Sequence, residues 1–220
     1  TESDSEILLN VFAKALHQYS DKNLNEESIS KAVNEVHNRI QGAYSVIIMI
    51  LGYGMVAFRD PNGIRPLVYG KKGDNNYMIA SESVALDCLG YSDIYDVKPG
   101  ETIIIKSNGD FCRYSYTGVS KAHNPCIFEY VYLARPDSVI DRINVYESRL
   151  SMGRKLGEKI IKSLTKKELN DIDVIIPIPD TSRTSAVPLS LVLKKDYREG
   201  FVKNRYIGRT FIMPGQKIRK

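Results

Sequence analysis

Residues 173–186 read Asp-Val-Ile-Ile-Pro-Ile-Pro-Asp-Thr-Ser-Arg-Thr-Ser-Ala and carry the clearest fold signal of the chain. The apolar run in the first half of this stretch is typical of a strand buried on both faces of a parallel sheet. The polar residues after it predict a turn, and residues up to 193 then favour a helix. Strand, turn and helix make one βα unit, so the stretch predicts an α/β architecture for this part of the chain.

The turn of this unit, Asp180-Thr181-Ser182, is a candidate binding site. Backbone N–H groups and hydroxyls at the carboxyl end of a strand, together with the partial positive charge of a helix N-terminus, suit a phosphate or a hydrated metal ion. The alternative is that the three side chains only cap the helix. The turn alone does not decide between these two interpretations.

A basic segment follows the unit. Between Lys194 and Lys220, nine Lys or Arg residues stand against two acidic ones, interleaved with aromatic residues and glycines and without helical periodicity. This composition predicts a mobile loop whose positive groups fold over a polyphosphate and exclude water. A solvated basic tail, or a surface that binds nucleic acid without specificity, is the alternative. Because no RNP-type aromatic signature accompanies the segment, we do not expect nucleic acid as a partner.

The first half of the chain predicts an α+β arrangement. Two helices are expected, one beginning at Asp4 and one spanning 28–40, because apolar residues recur at i, i+3 and i+4. Short runs rich in β-branched and aromatic residues then predict antiparallel strands. The predicted strands are 44–51, 55–58, 67–69, 77–80 and 102–106, with a short helix at 83–89. Further on, we expect a strand at 127–133 and a long helix at about 144–164, with a domain boundary near 123–125.

Composition and charge narrow the class of protein. With 43% hydrophobic and 26% charged residues, the chain is expected to be globular and ordered. Its longest apolar run, Val46 to Leu51, is too short to span a bilayer, and its acidic start does not resemble a signal peptide. Three cysteines without CxxC spacing favour a reducing cytoplasm. Residues 1–125 carry 12 basic and 15 acidic side chains against 19 and 11 in residues 126–220, so the second half is expected to bind an anion.

Two features of the first half have competing interpretations. Arg59 to Leu67 has the chemistry of a tight turn, and its charged side chains are expected to tie that turn to neighbouring strands. Asp4 either caps the first helix or pairs with the ammonium group of a ligand. The three histidines are widely spaced, so a histidine-based metal or catalytic cluster is not expected.

Taken together, the motifs resemble those of the amidophosphoribosyltransferase family over nearly the whole chain. The matching strings are DSEILLN, GAYS, FRDPNGIRPLVYG, ASESVALD, VKPGE, FEYVYLARPDS, NVYESRLSMGRKLG, PIPDTSRTSA and GFVKNRYIGRTFIMPGQ. The resemblance implies part of an N-terminal nucleophile (Ntn) hydrolase glutaminase domain at residues 1–124, followed by part of a type I phosphoribosyltransferase domain at 125–220. The family releases ammonia from glutamine and uses it to displace pyrophosphate from phosphoribosyl pyrophosphate, giving 5-phosphoribosylamine.

The resemblance also assigns roles to individual residues. Asp4 matches the carboxylate that receives the α-amino group of glutamine, and Thr181 matches the hydroxyl residue of a Mg²⁺ site. The family's phosphoribosyl pyrophosphate and nucleotide loop implies a further set of residues: Asp180, Ser182, Lys203, Arg205, Tyr206 and Arg209. Cys126 aligns with a cysteine that ligates an iron–sulfur cluster in some members, but we do not expect a cluster, since Cys88 and Cys112 do not match other ligands.

The family's nucleophile is an N-terminal cysteine whose own amino group acts as the base. Thr1 is not that nucleophile, so we expect no catalytic residue within the 220 residues and no turnover by this chain alone. The expected partners are glutamine, phosphoribosyl pyrophosphate, purine nucleotide inhibitors and further copies of the chain, with no membrane. A non-enzymatic nucleotide- or phosphate-binding fragment is the alternative function.

Overall fold

A computed structural model of the chain describes residues 3–20, 24–118, 123–204 and 206. The chain divides into two compact units, residues 1–145 and residues 146–220. Residues 126–145 therefore pack with the first unit, and the domain boundary predicted at residues 124 and 125 stays a prediction. Among the described helices, none is both long and apolar enough to cross a membrane.

Two amphipathic helices open the first unit, α1 (Asp4–Tyr19) and α2 (Glu26–Arg39). The second begins with a capping box, in which the Asn25 side chain accepts a hydrogen bond from the Ser28 backbone N–H at 2.8 Å. Both helices were predicted from their apolar periodicity. They bury one face each, and the residues on those faces are Phe12, Ala15, Ile29, Ala32, Val33 and Val36.

Strands follow the helices and form two antiparallel sheets. Their bounds are β1 Ser45–Ile50, β2 Gly54–Arg59, β3 Val68–Lys72, β4 Asn76–Ala80, β5 Ser92–Asp96, β6 Glu101–Lys106 and β7 Phe111–Ser115, with a short helix α3 at Ser83–Asp87. One sheet has the order β1-β2-β6-β7 and the other β4-β3-β5. All five predicted strands of this region are confirmed; β5 and β7 were not predicted, because polar residues interrupt their apolar pattern.

The four-stranded sheet lies between the helices and the second sheet. Successive strand residues point to opposite faces, and Val56, Phe58 and Ile104 accordingly pack with the buried faces of α1 and α2. The intervening residues Ala57 and Ile103 join a second core that contains residues of the other sheet. Strands β2 and β6 are thus buried on both faces. The edge strand β1 is more open: Ile47 is 48% exposed and Met49 is 75% exposed.

The strand predicted at 127–133 is wrong. Residues 127 and 128 are helical, and Glu129–Leu133 forms a short π-helical turn, closed by a bond from the Ala134 N–H to the Glu129 carbonyl oxygen at 2.9 Å. A short apolar run does not distinguish a strand from a buried helical turn. In this segment Tyr130 is buried, while Ile127 and Phe128 are exposed. A two-residue hairpin pair then follows, β8 (Val139–Ile140) with β9 (Ile143–Asn144).

The second unit contains the predicted βα unit. Helix α4 (Val145–Ser163) agrees with the predicted long helix, and α5 (Lys166–Asn170), which was not predicted, follows it. Strand β10 (Val174–Ile175) pairs in parallel with β11 (Asp196–Tyr197), and α6 (Arg183–Leu193) connects them. The strand is shorter than predicted because Pro177 and Pro179 have no N–H to donate to a neighbour.

Candidate active site

An open cleft of about 950 Å³ lies in the first unit. Its wall combines the start of α1, the loop that leads into β1, strand β1 itself, the Arg65-Pro66 corner and Ser81. The Ser45 hydroxyl donates a hydrogen bond to the Pro66 carbonyl oxygen at 3.0 Å, which fixes the corner against the first residue of β1. The lining of the cleft is mostly apolar and carries a few polar groups, as is usual for small-molecule sites.

Asp4 lies on this cleft. It is the first residue of α1, and Ser3 rather than Asp4 occupies the N-cap position. Its side-chain oxygen accepts a hydrogen bond from the backbone N–H of its neighbour Ser5 at 2.8 Å, and the side chain is exposed. Within the described residues no cation lies close enough to form an ion pair with this carboxylate. The carboxylate is thus available to a positively charged ligand group at the helix N-terminus.

The Arg59–Leu67 turn supports the corner of the cleft. Asp60 is fully buried, and its carboxylate accepts hydrogen bonds from the backbone N–H groups of Asn62, Ile64 and Arg65 at 3.0–3.1 Å. A carboxylate that satisfies three N–H groups holds the turn in one conformation. Asp60 thus holds the backbone of the turn itself, whereas the prediction was that it ties the turn to neighbouring strands.

Arg59 ties the same turn to the segment after residue 126. Its guanidinium group is 1% exposed and forms a bidentate pair with Asp141 at 2.7 and 2.9 Å. It also donates to the carbonyl oxygens of Arg65, Val97 and Gly63. Burial disfavours the charged carboxylate, but the hydrogen bond and charge of Arg59 outweigh burial and hold the pKa of Asp141 below its ordinary value.

Arg65 was not predicted as a site residue, although it lines the cleft. Its Nη1 lies 2.7 Å from the buried Glu129 carboxylate. Burial raises the pKa of Glu129, and the positive charge of Arg65 opposes that rise. The only sequence signal was its place two residues after the Asn62-Gly63 pair. Its partner Glu129 lies far along the chain and could not be predicted from the sequence.

The candidate phosphate turn lies in the second unit, between β10 and α6. Lys203 Nζ lies 3.5 Å from one Asp180 oxygen, and Arg183 Nη1 lies 3.5 Å from the other. Arg183 Nη2 also pairs with Glu199 at 3.1 Å. Asp180 and Lys203, two residues predicted for one loop, are therefore neighbours. Arg183 and Glu199 were not predicted as site residues.

The remaining predicted residues of this turn differ in their contacts. Thr181 and Ser182 are half-buried. The Ser182 hydroxyl donates to the Ile178 carbonyl oxygen and accepts no capping hydrogen bond from an N–H of α6. Side-chain capping of α6 by Ser182 is thus not observed. Tyr206 is fully exposed, and its N–H donates to the Asn204 side chain at 3.0 Å. Arg205 and Arg209 lie outside the described residues.

Metal-binding chemistry at this turn is limited to oxygen donors. Across the residues that the structure describes, there is no cluster of three or more His, Cys, Asp or Glu side chains suited to a metal ion. Asp180 and Thr181 supply one carboxylate and one hydroxyl at the carboxyl end of β10. Such a sparse set fits Mg²⁺, which is commonly held by one or two carboxylates together with waters and substrate phosphates.

Known proteins match both units of the chain. The glutamine amidotransferase domain family matches residues 1–88, which include Asp4 and all the lining residues of the cleft. Amidophosphoribosyltransferases from Pasteurella multocida, Escherichia coli and Pseudomonas aeruginosa are 52%, 54% and 55% identical to the chain over its whole length. The chain belongs to the amidophosphoribosyltransferase family. It spans 44% of the length of each of these relatives.

Solved structures agree with the amidophosphoribosyltransferase assignment. The glutamine phosphoribosylpyrophosphate amidotransferase from B. subtilis, complexed with ADP and GMP, matches all of the chain with a TM-score of 0.76 at 33% identity, and the chain covers 44% of it. A structure described as the allosteric regulatory enzyme of purine biosynthesis matches with a TM-score of 0.75 at 33% identity, with 43% covered. The first unit's helices and paired sheets accord with a glutaminase fold.

Proposed function

We propose that this chain is part of an amidophosphoribosyltransferase that performs the first step of purine biosynthesis. The reaction takes ammonia from glutamine and uses it to displace pyrophosphate from phosphoribosyl pyrophosphate, which gives 5-phosphoribosylamine and glutamate. The observation that carries the proposal is identity of 52–55% to amidophosphoribosyltransferases across all 220 residues. The cleft with Asp4 and the turn with Asp180 supply one candidate site for each substrate.

For glutamine, the proposed role of Asp4 is to bind the α-ammonium group. Its exposed carboxylate lies on the cleft and has no cationic partner in the described part of the chain. An ion pair at a mostly apolar wall orients an amino acid, because the side chain of the ligand then extends along that wall. The Arg65-Pro66 corner of the cleft is held in place, since Asp60 binds the Arg65 backbone N–H and Glu129 binds the Arg65 guanidinium group.

For phosphoribosyl pyrophosphate, the proposed site is the turn Asp180-Thr181-Ser182 with Lys203, Arg205, Tyr206 and Arg209. Lys203 and Arg183 already lie against Asp180, so positive charge is placed at the start of α6, where phosphate oxygens are favoured. Asp180 and Thr181 would hold Mg²⁺ there. When bound, Mg²⁺ neutralises negative charge on the pyrophosphate group.

Further parts of the proposal rest on the family resemblance. Residues 1–124 are assigned to an Ntn-type glutaminase domain and 125–220 to a phosphoribosyltransferase domain. We infer regulation by purine nucleotides, in line with the ADP and GMP bound to the B. subtilis protein, a homo-oligomer, and a cytoplasmic location. Neither an iron–sulfur cluster nor nucleic acid is part of the proposal.

The Asp4→Asn substitution in the full-length protein tests the glutamine site. We expect kcat/KM for glutamine to fall by about 10- to 100-fold, because a charged hydrogen bond to the ammonium group is lost. Activity with added ammonium salt should stay unchanged, since ammonia bypasses the glutaminase step. Phosphoribosylamine formation is measured with each nitrogen source.

Glu6→Gln is the matched control, because Glu6 lies in the same helical turn but does not line the cleft. Unchanged glutamine kinetics in Asp4→Asn would remove Asp4 from the site. No phosphoribosylamine with either nitrogen source in the unmodified protein would overturn the proposed function itself.

A further inference from the structure

A second recess, of about 330 Å³, lies in the first unit and shares no lining residue with the cleft. We call it the aromatic recess, and its central residues are Tyr69, Lys71, Tyr77, Tyr95, Phe111 and Arg113. They come from both sheets, since β3, β4 and β5 supply four of them and β7 supplies the last two. Its volume is at the lower end of the range for small-molecule sites.

Four rings form a continuous wall in the recess. The ring of Tyr95 stacks on Tyr69 with centroids 5.5 Å apart, Tyr69 lies 5.2 Å from Phe111, and Phe111 stacks on Tyr77 at 4.9 Å. Tyr69 is 6% exposed, whereas Tyr95 at the end of the wall is 53% exposed. Pairing of Tyr69 with Tyr95 across β3 and β5 fixes the two rings by backbone register. The wall is therefore preformed and presents an open ring face.

Two cations stand beside this wall without a carboxylate partner. Arg113 Nη1 donates to the Tyr69 hydroxyl at 3.3 Å, and Lys71 Nζ lies 5.9 Å from the centre of the Tyr77 ring. Neither side chain forms an ion pair with any residue in the described ranges. This contrasts with the cations of the phosphate turn, which are both paired with Asp180. Positive charge at the recess is thus left for an external anion.

One acceptor completes the lining. Asp93 lies at the rim with a positive φ of 49°, where the register of β3 with β5 shifts between Tyr69 and Lys71. Such a bulge re-aims a side chain relative to a regular strand. The recess therefore combines one acceptor with two cations and an aromatic face.

We propose that the aromatic recess binds a small planar aromatic molecule that carries a carboxylate or a phosphate. The ring of the ligand stacks on Tyr95, its anion lies between Lys71 and Arg113, and Asp93 accepts a hydrogen bond from a ring hydroxyl or amine. Aromatic carboxylates and nucleoside monophosphates share this chemistry. The recess shares no residue with either proposed substrate site.

Titration of the 220-residue chain with 4-hydroxybenzoate, AMP and inorganic phosphate, followed by NMR amide shifts of β3 and β5, tests the proposal. We expect one of the aromatic anions to bind more tightly than phosphate, and Arg113→Gln to weaken that binding by about tenfold, because a charge-assisted contact is lost. Tyr95→Ala should weaken binding of the aromatic ligand and leave phosphate binding unchanged. Lys72→Gln is the matched control, since Lys72 donates to the Leu89 carbonyl oxygen and does not line the recess.

Binding of 4-hydroxybenzoate alone would assign the site to aromatic carboxylates, and binding of AMP alone to nucleoside monophosphates. The proposal fails if neither binds at millimolar concentration, if phosphate binds as tightly as both, or if Lys72→Gln has the effect of Arg113→Gln. It also fails if Arg113→Gln changes only self-association in sedimentation, which would make the recess a protein contact. Circular dichroism confirms that each surface variant is folded.

Discussion

His37 is the residue at which ionisation and packing are most directly coupled. Its ring is 6% exposed and lies among Tyr44, Phe58 and Tyr116, with centroids 5.1–5.9 Å away. Nδ1 lies 2.8 Å from the Tyr44 hydroxyl oxygen, whereas Nε2 is buried and has no hydrogen-bond partner among the described atoms. Burial lowers the pKa of His37 from 6.5 to about 4, against a smaller opposing effect of Asp60.

We expect acid to destabilise the first unit through this residue. Since the folded-state pKa is below the unfolded value, the neutral ring contributes its stability fully above pH 6.5 and loses it as pH falls through 4. The loss approaches about 3 kcal/mol of unfolding free energy. Urea unfolding between pH 7.5 and 4 measures it. His37→Gln should flatten the pH dependence of the unfolding free energy, and His17→Gln, at an exposed position, should preserve it. If both variants show the same pH dependence, His37 is not the group responsible.

The buried Arg59–Asp141 pair gives a prediction at neutral pH. Asp141→Asn removes the charge that balances a guanidinium group with 1% exposure. Leaving a buried charge uncompensated costs about 3–5 kcal/mol of unfolding free energy. Asp137→Asn is the control, because Asp137 pairs with Arg135 at 2.8 Å on the surface, where both side chains are more than half exposed. The control should lose less than about 1 kcal/mol. Chemical denaturation measures both variants, and equal losses of unfolding free energy would contradict the prediction.

At the scale of elements, segments with a repeated pattern or clear flanking turns were predictable, including five short strands, whereas an isolated apolar run was not. The helices α1, α2 and α4 show their apolar faces in sequence, because a helix of several turns repeats its pattern several times. Residues 127–133 offered only one apolar run, and the run forms a π-helical turn instead of a strand. The bond from the Ala134 N–H to the Glu129 carbonyl oxygen is local, but the burial of Tyr130 is a tertiary fact that no local pattern contains.

Close contact between α4 and α6 rests on glycine. A Cβ on Gly153 would collide with the carbonyl oxygen of Ser185, while one on Gly157 would meet only the side chains of Val192 and Leu189. The Ser185 hydroxyl also donates to the Arg149 carbonyl oxygen at 2.9 Å, which holds the start of α6 on α4. Backbone atoms cannot rotate away as side chains can, so Gly153 determines how near the two helices lie.

We therefore expect Gly153→Ala to destabilise the second unit by about 1–2 kcal/mol, because the overpacking cost exceeds the gain of about 1 kcal/mol in helix propensity. Amide hydrogen exchange in α6 reports the change. Lys155→Ala, on an exposed position of α4, is the control and should leave protection unchanged. Slower amide exchange in α6 of the Gly153→Ala variant would contradict the prediction, because it would show that the added methyl group does not destabilise the contact between α4 and α6.

At the scale of the whole molecule, the sequence suggested candidate sites but not the side-chain contacts that hold them. Asp4 and Asp180 were predicted from the family motifs, and their roles remain predictions. The partners that hold the sites are distant in sequence: Asp141 lies 82 positions after Arg59. Arg65 and Glu129 are likewise separated by most of a domain. Local composition cannot report such pairs, because they exist only once the chain has folded.

The edge strand β1 has a consequence for the behaviour of the chain in solution. In the described sheet it pairs only with β2, and its sequence, Ser45–Ile50, contains neither charge nor proline. The opposite edge strand, β7, carries Arg113. Charged residues and proline are what protect edge strands from pairing with other molecules. We expect concentrated solutions of the chain to aggregate, with β1 adding to β1 of another molecule.

Met49→Lys should raise the concentration at which light scattering begins, because a charge on the open edge opposes intermolecular pairing. Leu89→Lys adds the same charge at a residue that is 56% exposed but lies outside the strands. If both variants raise the concentration at which scattering begins by the same amount, net charge and not the edge of β1 controls aggregation. A gain for Met49→Lys alone makes one uncharged strand the determinant of solubility.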